Sequence, residues 1–280
     1  MRVRAEGGRR RDRGSGVLVG AALTTAALLV AFAGPLVAEP GPRGPPRPSR
    51  AASRRPTRRR GRDVMTQALL GGRSLVLIAA AAVLAIYLLA VPWGVAAVAS
   101  GRRWVDETLM RPLDLLLSVP SMMLLLLVVA MTEANAAVLA LTVAVLQFPD
   151  AARLVRASAL HAVNSPAMQA LRLQRETWWR RNIGYLGRTL LPVLAADAGL
   201  RFVGAIYLVA SASFLGLTAD ASGTDWAVMV DRNRSGIALA PWGVLVPTLL
   251  IIGLAVGVNL LFDTGARAAS RETSSGRSDT

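Results

Sequence analysis

The stretch SLVLIAAAAVLAIYLLAVPWGVAAVASG, residues 74–101, contains no charged side chain. A helix needs roughly 20 apolar residues to cross the hydrocarbon core of a bilayer, so this stretch is long enough to span a membrane. The rest of the 280-residue chain agrees, with 53% hydrophobic and only 18% charged residues and a mean hydropathy of +0.45. Charge-free or nearly charge-free runs also occupy 14–38, 115–132, 134–149, 202–219 and 235–262. The composition predicts an all-α membrane protein with six transmembrane helices.

The distribution of arginine predicts the orientation of these helices. Six crossings place both termini on one side, where 1–15, 101–111, 150–188 and 264–280 together carry 19 Arg. The opposite side carries 12 Arg, ten of them in 39–73. Because basic loops remain cytoplasmic, we expect both termini in the cytoplasm and a multi-pass protein of a bacterial-type cell membrane.

The polar segments divide the chain into four regions. Residues 1–38 form a cytoplasmic tail and the first transmembrane helix, 39–63 a linker, 64–265 a membrane domain and 266–280 a disordered cytoplasmic tail. The linker contains six Pro and nine Arg, which favours a solvated spacer over a strap that binds anionic lipid or a partner. The first run also has features of a signal peptide, although its length favours a retained helix.

Residues 150–188 form the longest polar stretch between hydrophobic runs. The pair Ser165–Pro166 is typical of an N-cap followed by a proline in the first turn, and predicts a short helix. Met168 and Leu171 lie on one face of that helix at i,i+3 spacing. Such an amphipathic helix could lie on the lipid surface or fit a groove in a soluble partner.

A series of short motifs lies between residues 61 and 263. In chain order they are GRDV at 61–64, GGRSL at 71–75, WVDE at 104–107 with Met110, Arg111, Asp114 and VPS at 119–121, ARLVR at 152–156, LLP at 190–192, ASFLGL at 212–217, DWA at 225–227 and NLLFD at 259–263. Together they resemble the permease subunits of ATP-binding cassette (ABC) importers for peptides and nickel. The order and spacing of the motifs carry the resemblance, because each motif alone is common.

The resemblance implies a type I ABC importer permease fold with a cytoplasmic coupling helix that docks on an ATPase subunit. The family's motif for this helix is Glu-Ala-Ala, three residues, then Gly, and it falls here at about 165–177. The implied coupling residues are Met168, Gln169, Ala170, Leu171, Arg172, Arg175 and Glu176. Gln169 replaces the Glu and Arg175 the Gly. Since Arg adopts a positive φ only at a cost, we expect the loop to turn elsewhere, near Gly184 or Gly187.

Polar residues in the apolar runs are candidates for the translocation path: Pro120, Ser121, Ser211, Ser213 and Asn259. Proline can kink a membrane helix, whereas serine and asparagine more often bond neighbouring helices. Asp197 and Arg201 are spaced to pair on one helix face, which is more typical of a structural than a substrate-binding role.

The chain has no Cys, a single His (His161) and no phosphate-binding GxxxxGK[ST] motif. We therefore predict no catalytic residue, no metal site and no cofactor in this chain, with ATP used by partner subunits. Sparse aromatic residues and high apolar content argue against a nucleic-acid partner.

The resemblance implies one permease subunit of an importer for peptides, nickel or related solutes. The implied partners are a homologous permease, two ABC ATPase subunits, an extracytoplasmic substrate-binding protein and the bilayer. One alternative is a degenerate permease that serves as a membrane anchor or assembly protein. The other, a membrane-embedded enzyme, lacks the converging polar residues that catalysis needs.

Overall fold

The computed structural model describes residues 18, 20–34, 56–132, 135–216 and 225–275, and these ranges are helical apart from turns. The α-helices are α1 (Gly20–Gly34), α2 (Pro56–Ala99), α3 (Arg103–Ser118), α4 (Ser121–Met131), α5 (Ala136–Val163), α6 (Pro166–Leu173), α7 (Leu186–Phe214), α8 (Trp226–Asn233) and α9 (Trp242–Ser275). A π-helical segment, Arg180–Tyr185, leads into α7, and a 3₁₀ turn, Arg234–Gly236, follows α8.

Four of the described helices are long and apolar enough to cross a membrane: 65–99 of α2, α5, α7 and 242–265 of α9. Helices α3 and α4 qualify only as a broken pair, which would make a fifth span, and α1 is a shorter apolar helix. The all-α membrane architecture is therefore confirmed, with four to five candidate spans rather than a demonstrated six. Helix α7 contains residues 202–214 of the run at 202–219 and begins upstream of that run, at Leu186.

The run at 115–132 is not one helix, because the chain bends by 83° between α3 and α4. Val119 is extended, with φ −94° and ψ 129°, and Pro120 precedes the first residue of α4. Proline disfavours the helical conformation in the residue before it, so α3 ends there. The predicted kink at Pro120 is present, and it separates an amphipathic helix from an apolar one.

Two regions differ from the predicted boundaries. Residues 56–63 of the expected linker are helical and begin α2, and residues 266–275 of the expected disordered tail continue α9. Proline is well suited to a first helical turn, and arginine and alanine are good helix formers, which accounts for both extensions. Residues 39–55 and 276–280, including most of the predicted linker, lie outside the described residues.

Helix α2 occupies the centre of the bundle and packs mainly against α5. Gly94 of α2 permits this approach, because a Cβ there would lie 2.8 Å from the carbonyl oxygen of Ala152. Helix α1 runs antiparallel to α9: Gly20 faces Leu260, and Thr24 faces Gly257. The N-terminal end of α1 and the C-terminal part of α9 therefore lie at the same end of the bundle.

Candidate functional site

Helix α6 begins as the sequence predicts. The Ser165 hydroxyl accepts a hydrogen bond from the backbone N–H of Met168 at 3.3 Å, and Pro166 occupies the first turn. The same hydroxyl lies 2.8 Å from the phenolic oxygen of Tyr185, in the π-helical segment before α7. The start of α6 is thus joined directly to the start of α7.

The C-terminal end of α6 closes in a Schellman motif. The N–H of Glu176 donates to the carbonyl of Leu171 at 3.2 Å, and the N–H of Arg175 donates to the carbonyl of Arg172 at 3.1 Å. This pattern requires a left-handed residue just past the helix, a position that glycine usually fills. Arg175 takes that conformation, with φ +53°.

The loop after α6 therefore turns at Arg175. The predicted turn near Gly184 or Gly187 was wrong. Gly184 lies inside the π-helical segment and Gly187 in the first turn of α7. The expected glycine of the family motif coincides with the left-handed cap, and Arg175 reproduces the backbone at the cost of strain.

The two faces of α6 differ from the predicted arrangement. Met168 is only 1% exposed and is packed inside the chain, and Leu171 is half-buried. Gln169, Ala170 and Arg172 are exposed, and Leu173 is 85% exposed. Met168 therefore does not anchor a partner in this conformation, because its side chain faces the bundle. The apolar group that α6 presents outward is Leu173.

The residues after α6 form an exposed aromatic and basic extension. Trp178 and Trp179 are both exposed and contact each other edge to face, with ring centroids 5.2 Å apart. Glu176 forms an ion pair with Arg180, four residues further along the chain, at 2.9 Å. This contact links the start of the extension to the π-helical segment. The coupling role of 168–176 remains a prediction.

Two ion pairs join α3 to α5 at the end of the bundle where α6 lies. Arg156 binds both carboxylate oxygens of Asp106, and Arg153 binds Asp114. Both acids belong to the motif that begins at Trp104, and both arginines to ARLVR. Sequence reasoning identified the two motifs but missed their pairing. The opposite charges of the two motifs were the available signal.

A second polar cluster joins α2 to α7 inside the bundle. The Tyr87 hydroxyl donates to Oδ2 of Asp197 at 2.7 Å, and Nε of Arg201 donates to the same oxygen at 3.1 Å. The predicted pairing of Asp197 with Arg201 is confirmed. Arg201 also lies 3.7 Å from Asp150 of α5, so the guanidinium sits between two carboxylates. Neither Tyr87 nor Asp150 was predicted to join this pair.

The predicted path residues do not converge on one site. Pro120 and Ser121 line a cavity next to Arg201, at the break between α3 and α4. Ser211 lines a separate apolar groove of about 510 Å³ formed by α4, α7, α8 and α9. Ser213 is buried in the core, and Asn259 packs against Gly199. Only Pro120 and Ser121 share a polar cavity.

At the opposite end of the bundle, α8 docks on the N-terminal part of α2. The Trp226 indole N–H donates to the carbonyl of Ala68 at 2.7 Å, and the ring is completely buried against Gly72. Asp225 caps α8 by accepting the N–H of Ala227 at 3.0 Å, and Ser74 donates to its other oxygen at 3.3 Å. This contact joins the GGRSL and DWA motifs.

The described residues contain no group of three or more His, Cys, Asp or Glu positioned to hold a metal ion. Many of their polar side chains form ion pairs, helix caps or the Tyr87–Asp197–Arg201 cluster. These features define a helical multi-pass membrane protein with a capped, partly exposed loop helix at one end. Comparison with known proteins identifies the family within that class.

The family described as "binding-protein-dependent transport system inner membrane component" matches residues 90–271, and the chain belongs to this family. It is 29% identical over 203 residues to a dipeptide transport system permease protein from Alkalihalophilus pseudofirmus, covering 72% of this chain and 66% of the relative. A probable D,D-dipeptide transport system permease protein from Escherichia coli is 28% identical, covering 72% and 68%. A glutathione transport system permease protein from Pectobacterium atrosepticum is 29% identical, covering 72% and 67%. The resemblance read from the motifs is confirmed.

Proposed function

We propose that this chain is a membrane subunit of an ATP-driven importer of short peptides. Its membership in the inner-membrane component family supports a transport role, and the names of its relatives support peptides as the solute. The proposed assembly contains a homologous permease, two ATPase subunits that use ATP, and an extracytoplasmic binding protein. This subunit lines half of the translocation path and transmits the motion of the ATPases.

We place α1, α2, the broken pair α3–α4, α5, α7 and α9 as the six membrane crossings, with both termini in the cytoplasm. The packing of α1 against α9 supports a common side for the described ends of the chain. The Arg-rich loop containing α6 then faces the cytoplasm, in agreement with the positive-inside rule. Helix α8 and its buried Trp226 face the exterior.

The coupling role is supported mainly by the structure of α6, a capped helix with one large exposed apolar side chain. Its C-cap is complete although the glycine is missing, and Leu173 projects from it. An exposed helix of this kind suits a groove in a soluble partner, held by a few apolar contacts. Its inward contacts, Met168 and the Ser165–Tyr185 hydrogen bond, provide the route into α7.

In the proposed mechanism, closure of the ATPases displaces α6, and α7 follows because Tyr185 and Ser165 join the two elements. Rigid packing transmits such a displacement better than a loose loop would. The pair of permease subunits then alternates between inward-open and outward-open states around their shared path. No step of the chemistry of ATP hydrolysis requires a residue of this chain.

The alternative is a degenerate permease that anchors other proteins without coupling. Replacement of the motif's Glu and Gly by Gln169 and Arg175 favours this alternative. The Schellman closure at Arg175 favours coupling, because it ends α6 in a defined geometry that keeps the helix ordered where Leu173 is exposed.

A matched pair of leucine substitutions tests the coupling role. Leu173 and Leu239 are 85% and 86% exposed, but Leu239 lies in the loop between α8 and α9. We expect Leu173→Arg to lower co-purification with the ATPase subunits about tenfold or more, the effect typical of an interface hot spot. Peptide-stimulated ATP hydrolysis is lost in parallel, whereas Leu239→Arg retains both.

Two outcomes would contradict the coupling role of α6, and one control applies to every variant. If the unaltered subunit fails to co-purify with ATPases, it is an anchor and not a coupled permease. If it co-purifies and Leu173→Arg has no effect, docking lies elsewhere, and Trp178→Ala and Trp179→Ala become the decisive variants. Equal membrane levels of all variants show that the losses concern assembly rather than insertion.

A further inference from the structure

A polar cavity of about 280 Å³ lies at the break between α3 and α4, away from the exposed face of α6. Its polar lining comes from three elements: Ser121 of α4, Gln147 and Asp150 of α5, and Arg201 of α7. Apolar side chains such as Leu116 and Leu208 complete the wall. The combination of a shaped apolar enclosure and a few polar groups is typical of small-molecule sites.

One hydrogen-bond donor of the cavity wall is unused. The Nε2 atom of Gln147 is buried and has no hydrogen-bond partner among the described residues. Gly204 leaves room for this amide, since a Cβ there would lie 2.8 Å from its Oε1. The Arg201 side chain is 13% exposed; its Nε donates a hydrogen bond to Asp197, and its NH1 lies 3.7 Å from Asp150. A buried donor without an acceptor is costly, so an acceptor from outside the described chain is expected at Gln147.

The charges of the cavity favour a cation beside that acceptor. Asp197 is paired with Arg201 through Nε, whereas Asp150 is half-exposed and lies 3.7 Å from the guanidinium, beyond hydrogen-bonding distance. The three groups together carry a net charge of −1. A second anion would lie next to two carboxylates, but an ammonium group at Asp150 would balance the cluster.

The spacing of these groups matches one end of a peptide. Gln147 and Asp150 are three residues apart on α5, so their side chains are neighbours on one face, roughly 5–6 Å apart at Cβ. A free amino terminus presents an ammonium group and, within the same residue, a carbonyl acceptor. We propose that this cavity binds the amino-terminal residue of a transported peptide, with its ammonium group at Asp150 and its first carbonyl at Gln147 and Arg201.

The inference rests on the proposed function and specifies which part of the substrate the membrane subunit recognises. A purely structural role explains Tyr87, Asp197 and the Nε of Arg201, which tie α2 to α7. It does not explain the unpaired amide of Gln147 or the exposure of the Asp150 carboxylate in the cavity wall. These two side chains therefore carry the tests.

The experiment uses the complete transporter, with its binding protein, reconstituted in proteoliposomes. Uptake of alanyl-alanine is compared with uptake of N-acetyl-alanyl-alanine, which lacks the ammonium group. The binding protein is the same in every sample, so a change in the ratio of the two rates between variants reports on this subunit. Co-purification with the ATPases verifies assembly of each variant.

We expect Asp150→Asn to lower alanyl-alanine uptake roughly tenfold or more, the loss typical of a hydrogen bond to a charged group. The smaller uptake of the acetylated peptide should not change, so the ratio of the two rates collapses. Gln147→Leu should lower both rates, because both peptides carry the carbonyl. Thr142→Val is the control: Thr142 is buried in α5 and bonds the carbonyl of Val138 at 2.8 Å, outside the cavity lining.

Parallel loss of both rates in Asp150→Asn, or an unchanged ratio, overturns the ammonium site while leaving peptide import intact. An unchanged rate in Gln147→Leu overturns the carbonyl contact. If the unaltered transporter takes up neither peptide, nor any other short peptide tested, the proposed function fails and the inference fails with it.

Discussion

Arg175 shows at the scale of one residue how a motif can lose its glycine and keep its backbone. A side chain in the left-handed conformation costs about 1–2 kcal/mol, and the greater freedom of glycine in the unfolded chain offsets about 0.4–1 kcal/mol. We therefore expect Arg175→Gly to slow hydrogen exchange of the amides at the end of α6, by about threefold. Arg172→Gly is the control, because Arg172 is equally exposed but helical. It should accelerate exchange, since glycine weakens a helix by about 0.8–1 kcal/mol relative to alanine. Faster exchange in Arg175→Gly would contradict the strained cap.

Gly72 tests the contact between α2 and α8. Alanine normally stabilises a helix relative to glycine by about 1 kcal/mol. At Gly72 an added Cβ would overlap the rigid Trp226 ring, and overpacking of this kind costs about 1–3 kcal/mol. We expect Gly72→Ala to lower the thermal midpoint of the detergent-solubilised protein. Gly253→Ala in α9, whose Cβ would meet nothing within 4 Å in the described chain, should keep or raise it. Equal effects of the two would rule out close packing at Gly72.

At the scale of the element, ion pairs to α5 add to the apolar contacts that Met110 and Leu113 make in holding α3 on the bundle. The Asp106 and Arg156 side chains are 25% and 34% exposed, whereas Arg103 of the exposed pair Arg103–Glu107 is 92% exposed. In double-mutant cycles of unfolding free energy, we expect a coupling of about 1–2 kcal/mol for Asp106→Asn with Arg156→Gln, between the values typical of exposed and buried pairs. Coupling for Arg103→Gln with Glu107→Gln should be below about 0.5 kcal/mol. If denaturant titrations gave similar coupling energies for the two pairs, the Asp106–Arg156 ion pair would not contribute specifically to holding α3 on α5.

The helices differ in how far their sequences predict them. Charge-free length predicts α2, α5, α7 and α9, because the bilayer requires it. Ser165 and Pro166 predict the start of α6, since capping is a local property. The inward orientation of Met168 was not predictable, because an apolar face looks the same whether it packs on its own bundle or on a partner. The contacts of Tyr87 with Asp197 and of Asp106 with Arg156 join residues 110 and 50 positions apart, and no local pattern records such distances.

At the scale of the whole molecule, the two ends of the bundle have different chemistry. One end contains the Arg-rich loop, the ion pairs between α3 and α5, and the exposed Leu173. At the other end α8 packs on α2 with Trp226 buried between them. The central cavity with Arg201 lies between α5, α7 and the break before α4. The Ser165–Tyr185 contact joins the proposed coupling helix α6 to the segment that leads into α7, and Arg201 of α7 lines the proposed peptide site, so motion at one can reach the other.

The orientation of the bundle in the membrane can be tested because the chain contains no native Cys. Ser100 follows α2 at the α3 end, and Ser235 follows α8 at the opposite end; both are exposed. We expect Ser235→Cys to react with a membrane-impermeant maleimide in intact cells, and Ser100→Cys to react only after permeabilisation, because the positive-inside rule predicts that the α3 end faces the cytoplasm. The two substitutions are chemically identical and conservative, so each serves as the control for the other. Labelling of Ser100→Cys alone would invert the bundle and expose α6 to the outside, where no ATPase could reach it. Labelling of both in intact cells would mean that Ser100 and Ser235 are not separated by the bilayer.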